Sequence, residues 1–394
     1  MTTTKNESPN VLAHNSSSAS SVLAFAVGEN HYITDSSHCK EENSDFTPAD
    51  RLVYSKYAPK HRLSEALSDS YGRIGWFDRS VKVYDCGSFL QFLTPQKDSA
   101  NSFLYRANFC KDRLCPMCAY RRELKVFAEI SKAFDRLIRS GKEYSFLFLT
   151  LTIRSVEGEK LTETINRMQK AFQLFAKRSR FKKACRGYFK ALEITCNKDK
   201  GSASYGLYHP HFHIIVAVDK DYFKSNKYIP HPLFLQMWRE SYNDPEIAFV
   251  NVETIYSKKK VSEALEASVE ARRQATAEVA KYTVKSSDFL LDKDAAETDK
   301  RVETLSEALK GRRLIDLAGC FREALQGVDL ESPDPVSDRA IDPDLLYIVE
   351  KYHWHVGAST YDKKSCSLSG AYLKKEKELL GKAYKTGQQG AYFK

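Results

Sequence analysis

Two histidines one residue apart, His211 and His213 in Leu207-Tyr208-His209-Pro210-His211-Phe212-His213-Ile214-Ile215-Val216, carry the strongest chemical signal in this chain. Alternate side chains of a strand share a face, so both imidazoles emerge together, with His209 on the same side. So apolar a strand is normally buried, and buried imidazoles cost desolvation unless a ligand or hydrogen-bond partner takes up their nitrogens. The alternatives are a satisfied core pair and a metal site. Glu193 bears on the choice, because Tyr188 to Cys196 reads as a strand that turns through the polar loop 197–206 into the histidine strand 210–218. An antiparallel register can bring its carboxylate beside His211 and His213. Two imidazoles and one carboxylate leave positions open for water and a phosphate oxygen, which suits Lewis-acid catalysis. Hard phosphate and carboxylate oxygens favour Mg2+ or Mn2+ over Zn2+.

A second group lies in a segment rich in Ala, Glu, Lys and Arg, from Lys258 to about Val284, which reads as one long helix. Glu278 and Tyr282 are four residues apart, hence one above the other, with Lys281 and Lys285 close by. A phenol titrating near pH ~10 is a weak nucleophile, but a cation and a metal-polarised phosphate stabilise the charges that develop when it attacks. The third group is Cys86, Cys110, Cys115 and Cys118, the last three in Cys110-Lys111-Asp112-Arg113-Leu114-Cys115-Pro116-Met117-Cys118. Four thiolates complete a tetrahedral Zn2+ site and leave no place for substrate, so this reads as a structural zinc site, with Cys39 an alternative fourth ligand.

Composition sets the context for these groups. The 394 residues carry a net charge of +10, which favours a polyanionic partner. Between Glu163 and Glu193 there is no acidic residue, while nine Lys and Arg accumulate from Arg167 to Lys190 with Phe172, Phe175, Phe181 and Tyr188 among them. Such a stretch can track phosphates and stack bases, or its aromatics can belong to the core. No apolar run has the length of a membrane span and Met1 to Asn10 lacks the pattern of a signal peptide, so the expected location is the cytoplasm. Its reducing conditions favour metal-ligating or free thiols over disulfides.

These groups need elements to position them. Residues 1–75, rich in Ser, Thr and Asn, read as a largely disordered tail, and 76–140 as a cysteine-rich zinc module ending in a helix. In 141–290, Phe146 to Ile153 reads as a central strand, Leu161 to Arg180 as a helix, then the two strands of the hairpin, a helix from His231 to Tyr242 and a strand from Ile247 to Ile255. The order β-α-β-β-α-β predicts an α+β, ferredoxin-like antiparallel sheet with both helices on one face and the other face free for a site. Residues 291–394 are expected to be a mainly helical C-terminal region of unassigned role.

In combination these motifs resemble the replication initiator proteins of rolling-circle plasmids, within the HUH endonuclease class. Phe148-Leu149-Thr150-Leu151-Thr152 is similar to the family's first motif, His209 to Ile215 to its metal motif, Glu278 to Lys285 to its nucleophile motif, and Cys110 to Cys118 with Arg121-Arg122 to an N-terminal element of the subfamily. The resemblance covers roughly Val81 to Asp288 and implies a nickase acting on plasmid origin DNA. It implies that Tyr282 joins to a 5′ phosphate and releases a 3′ hydroxyl primer, that His211 and His213 with Glu193 hold Mg2+ or Mn2+, and that Glu278 activates water for the terminating cleavage, as in single-tyrosine members. A host helicase and polymerase are implied partners, since no phosphate-binding loop of the helicase type is present. Other readings are a non-enzymatic, zinc-containing DNA-binding regulator and a transposase or relaxase of the same class.

Overall fold

The computed structural model describes residues 46–255, 261–281, 283–291, 294–331 and 340–385, with the short ladder between Ala24–Phe25 and Tyr32–Ile33. Helices α1 (Pro48–Leu52), α2 (Ala58–Arg73) and α3 (Phe77–Tyr84) come first, α1 and α2 being joined by a π turn, Val53–Tyr57. The turn closes with the Ala58 N–H on the Val53 carbonyl, just ahead of Pro59, which has no N–H to offer the Ser55 carbonyl. Strands β1 (Phe89–Pro95) and β2 (Phe103–Ala107) lead into α4 (Pro116–Arg139). There follow β3 (Tyr144–Thr152), α5 (Gly158–Lys177), α6 (Ser179–Ala184), β4 (Cys185–Cys196), β5 (Tyr208–Asp219), α7 (His231–Tyr242) and β6 (Val250–Thr254). Beyond them lie α8 (Val261–Ala280), α9 (Ala295–Leu309), β7 (Ile315–Ala318), α10 (Gly319–Ala324), β8 (Leu346–His355), β9 (Thr360–Ser369) and α11 (Gly370–Lys385).

Two antiparallel sheets form the frame, one in the order β6-β3-β5-β4-β7, the other β9-β8-β1-β2. Within the five-stranded sheet β3 is an inner strand, between β6 and β5, and buries both faces, as its unbroken apolar run requires. Leu147, Leu149 and Leu151 join the core under α5 and α7, with Phe172, Phe175, Phe212, Phe234 and Trp238. Phe146 and Phe148 join a second core on the opposite face, with Val126, Ile130 and Phe134 of α4, Ala275 and Val279 of α8, and Phe321 of α10. That face is therefore partly roofed by helices that were not expected there, and only its far end stays open.

The fifth strand, β7, reaches β4 through a close backbone approach. A Cβ on Gly187 would lie 2.6 Å from the Ala318 carbonyl oxygen, and Gly319 adopts φ +52 with the Arg186 carbonyl oxygen 2.1 Å from where its Cβ would be. Only glycine fits either position.

The chain ends differ from the sequence expectation. Residues 48–73, read as part of a disordered tail, are helical, because Ala49, Val53, Tyr57, Leu67 and Tyr71 join the main core, Tyr57 against Phe92 of β1 and Tyr71 against Trp76. Residues 1–45 lie outside the described side chains. The C-terminal region, expected to be helical, supplies the β8–β9 hairpin, and β8 pairs with β1 so that both chain ends share one sheet with the cysteine segment. It carries Glu350, a buried acid whose Oε1 finds its partners, Thr47 and Lys363, on other segments of the fold.

That acid belongs to a polar clasp. Lys363 Nζ lies 2.6 Å from Asp50 and 2.7 Å from Glu350, Tyr352 donates to Asp50 at 2.8 Å, and Thr47 donates to Glu350 at 2.8 Å. Burial opposes ionisation of Asp50, but Lys363, the Thr47 amide and the Tyr352 hydroxyl outweigh it and hold its pKa below the usual value. A depressed carboxyl stabilises fully above the unfolded pKa of ~4, and this is lost as pH falls through the lower folded value. We expect Lys363→Met to cost about 2–3 kcal/mol in urea melts at pH 7, less than a fully enclosed pair since 26% of the lysine side chain is exposed. The difference should narrow towards pH 3.

Candidate metal and nucleophile site

Register builds the centre of the site. Glu193 pairs directly with His211 and Ala191 with His213, while on the other side of β5 Thr152 faces His211 and Thr150 faces His213. Along β5, residues 209, 211, 213, 215 and 217 share one face, and Ile215 and Ala217 belong to the second core. The three histidines take over where the helical roof ends.

Glu193 Oε2 lies 2.8 Å from His213 Nε2 and 3.2 Å from His211 Nε2, and the two Nε2 atoms are 3.1 Å apart. His211 Nδ1 is 3.1 Å from the His209 carbonyl oxygen, which can only accept, so that nitrogen carries the proton and a neutral His211 presents its Nε2 lone pair to the site. His213 Nδ1 is held by the Thr150 hydroxyl at 3.3 Å, and the Thr152 hydroxyl contacts His209 Nε2. Burial alone pushes the Glu193 carboxyl up, but N–H donation from His211 and His213 in their protonated form outweighs it and holds the carboxyl far below its usual value, a charge balance that a bound cation would supply in place of those protons. Burial, then the proximity of His211, lowers the His209 pKa. Three electron-pair donors thus converge on one point, and a divalent cation there removes their mutual repulsion. Their spacings of 2.8 to 3.2 Å fit the edges, about 3.0 Å, of an octahedron with ~2.1 Å bonds.

Helix α8 delivers Glu278, whose Oε1 is 3.7 Å from His213 Nε2 and whose other oxygen is paired with Lys281. The expected single helix through Tyr282 ends at Ala280. Beyond it the Thr283 carbonyl accepts the Ile194 N–H at 2.7 Å, which draws the chain from the helix onto the edge of β4 beside Glu193. Tyr282 lies outside the described residues. Lys285 is exposed, and among the described residues the ammonium that meets Glu278 is that of Lys281.

Sequence reasoning passed over Thr150 and Thr152 as partners of the imidazoles. The Thr-x-Thr alternation in a central strand was the available signal. The basic stretch is resolved in favour of the core: Phe172, Phe175 and Phe181 are buried, and Lys190 is buried between Phe172 and Phe212 with its ammonium on Gln169. These rings are not free to stack on bases.

Cys86, Cys110, Cys115 and Cys118 gather at the N-terminus of α4. Cys118 Sγ lies 3.6 Å from Cys86 Sγ and 3.6 Å from Cys110 Sγ, too far for a disulfide and near the ~3.8 Å edge of a tetrahedron with ~2.3 Å metal–sulfur bonds. The Lys111 N–H points at Cys118 Sγ at 3.1 Å and the Cys110 N–H at Cys86 Sγ at 3.3 Å, donors that stabilise thiolates. Burial works against ionising Cys115, yet the neighbouring thiols and the Ser64 hydroxyl hold its pKa well below normal. Cys86 is thus the fourth member of the cluster; Cys39 lies outside the described residues.

Comparison with known proteins agrees with the motif reading. The replication protein family model matches residues 101–361. The chain is 32% identical over 296 residues to a Bacillus "Protein rep", covering 73% of this chain and 90% of that one. It is 33% identical over 308 residues to a "Protein rep" of Lentilactobacillus hilgardii, covering 78% and 93%, and 27% identical over 239 residues to a Staphylococcus aureus "Replication protein", covering 59% and 96%. No solved structure matches the chain.

Two outcomes follow from the geometry. Thr150→Val, which frees His213 Nδ1 without changing shape, should weaken Mn2+ binding by about 10–100-fold in calorimetric titration with the melting temperature little changed. Cys110→Ser should lower the metal content found at the cysteine cluster by elemental analysis of the purified chain and lower its melting temperature.

Proposed function

Because the chain belongs to the replication protein family, we propose that it initiates rolling-circle replication of a plasmid as a metal-dependent endonuclease and strand transferase that nicks one strand of the origin. The observation that carries this reading is the convergence of Glu193, His211 and His213 beside Glu278, on the helix that leads directly to Tyr282. The strand order 4-1-3-2 among β3, β4, β5 and β6, with helices between first and second and between third and fourth, supports a ferredoxin-like HUH core.

Glu193, His211 and His213 would hold Mg2+ or Mn2+; hard oxygen ligands and the octahedral spacing favour these over Zn2+. When bound, the ion supplies Lewis-acid stabilisation of charge on a phosphate oxygen. The protein's own groups do the rest. Thr150 and the His209 carbonyl orient the imidazoles, and α8 with the edge of β4 carries the chain on either side of residue 282 to the site. The Tyr282 oxygen forms a bond to phosphorus while the bond from phosphorus to the 3′ oxygen breaks. The phenolic proton leaves and the 3′ oxygen gains one, which yields a 5′-phosphotyrosyl link and a 3′ hydroxyl primer for the host polymerase. One phosphodiester replaces another, so the bond energy is kept for rejoining. Glu278, next to His213, is suited to take a proton from water when the cycle ends. Lys281, paired with Glu278, and Lys285 are the cations this segment offers to balance the developing charge. The cysteine cluster would hold a structural Zn2+, and its free thiols suit the reducing cytoplasm. Unwinding falls to a host helicase.

Supercoiled plasmid encoding the chain, incubated with the protein and Mn2+, should yield protein-linked DNA on a denaturing gel. Chelator and Tyr282→Phe should each abolish the adduct. Glu278→Gln should nick but release circles poorly. An adduct of normal yield from Tyr282→Phe overturns the assignment.

A further inference from the structure

The segment that follows residue 282 is clamped. Arg301 of α9 is only 1% exposed, an unusual place for a guanidinium unless its charge and donors are used. Its Nη1 donates to the Asp288 carbonyl oxygen at 2.9 Å, and its Nε to Glu297 at 2.8 Å on the same helix. One turn back, the Thr298 hydroxyl accepts the Leu291 N–H at 3.0 Å and donates to the Leu291 carbonyl at 3.5 Å. From the opposite side Lys198, in the loop of the β4–β5 hairpin, lies 3.2 Å from the buried Asp288 carboxylate and donates to Ser287 at 3.3 Å. With the Ile194–Thr283 hydrogen bond, residues 283–291 are tied both to the strands that bear Glu193 and the histidines and to α9.

Helix α9 is fixed in turn. Asp299 receives Arg73 at 2.8 and 2.9 Å and Ser70 at 2.6 Å, both from α2, which packs against the cysteine cluster through Ser64. A surface loop would not ordinarily enclose a buried arginine and a buried aspartate to hold backbone carbonyls and amides. The cost of burying them is offset if the position of the preceding residue matters.

We propose that Arg301, Thr298 and Lys198 are positioning residues for the nucleophilic tyrosine: they fix the chain after residue 282 so that its phenol is presented to the metal site in a reactive pose. This rests on the reading of Tyr282 as nucleophile. None of the three belongs to the Glu193, His211 and His213 cluster. Their effect is on the fraction of time the phenol is aligned, and a misplacement of about 1 Å costs up to ~100-fold in rate.

The test uses the full chain carrying Lys198→Ala with Thr298→Val, and separately Arg301→Lys and Arg301→Met. Adduct formation on the supercoiled plasmid is followed under single-turnover conditions with saturating Mn2+. Mn2+ affinity is measured by calorimetry, and hydrogen exchange reports protection of 283–291. The double variant should keep its Mn2+ affinity, lose protection in 283–291 and form adduct roughly 10–100-fold more slowly at unchanged half-saturating DNA. Arg301→Lys, which can still donate to the Asp288 carbonyl, should be faster than Arg301→Met. Should Arg301→Met not fold, the double variant decides. Loss of protection with a wild-type adduct rate, or a slower rate matched by weaker Mn2+ binding, overturns the clamp. Absence of adduct from the unaltered chain overturns the nucleophile reading and the clamp with it.

Discussion

The register between β4 and β5 is the constraint on which the site depends. Pairing Glu193 with His211 sets the carboxylate within 3.2 Å of both imidazoles. A slip of one residue would turn Glu193 into the core under α5 and α7 and bring a leucine or an isoleucine to the histidines. The slip is opposed on both faces, because Leu192 and Ile194 would leave one core while Ala191 left the other. Apolar packing therefore secures the polar geometry, and the hydrogen bonds of Thr150 and the His209 carbonyl refine it.

The same sheet explains why the site is open at one end only. Its first face is covered by α5 and α7. Its second is roofed by α4, α8 and α10 over Phe146, Phe148, Ile215 and Ala217, and the roof stops at His213. Glu193 and His213 are buried and His211 keeps a small exposure beyond the end of the roof, while the roofing helix α8 brings Glu278 to the boundary.

Helix α4 joins this sheet to the second one. Its first turn carries Cys115 and Cys118, and its later turns pack Ile130 and Phe134 on the five-stranded sheet. The four-stranded sheet is closed by β8 and β9 from the far end of the chain and held by the Asp50–Lys363–Glu350 clasp. A cysteine cluster near the N-terminus thus depends on residues some 250 positions later.

Local pattern made several features legible in the sequence. The alternation in His209 to Val216, the apolar run of β3, the polar hairpin loop and the spacing of the cysteines each derive from period and residue chemistry within a few tens of residues, and these gave the central strands, the Glu193 register and both clusters of metal-ligating type. The tertiary structure alone decided whatever depends on distant partners. The stop of α8 at Ala280 comes from a hydrogen bond to Ile194, the burial of Phe172, Phe175 and Phe181 from the helices packed around them, and the C-terminal hairpin from β1. The hairpin's buried Glu350, like Arg301 in α9, reads as a surface residue until the fold supplies its partner. A charge buried by a contact 300 residues away leaves no periodic trace, because its stabilisation is a property of the pair and not of either stretch of chain.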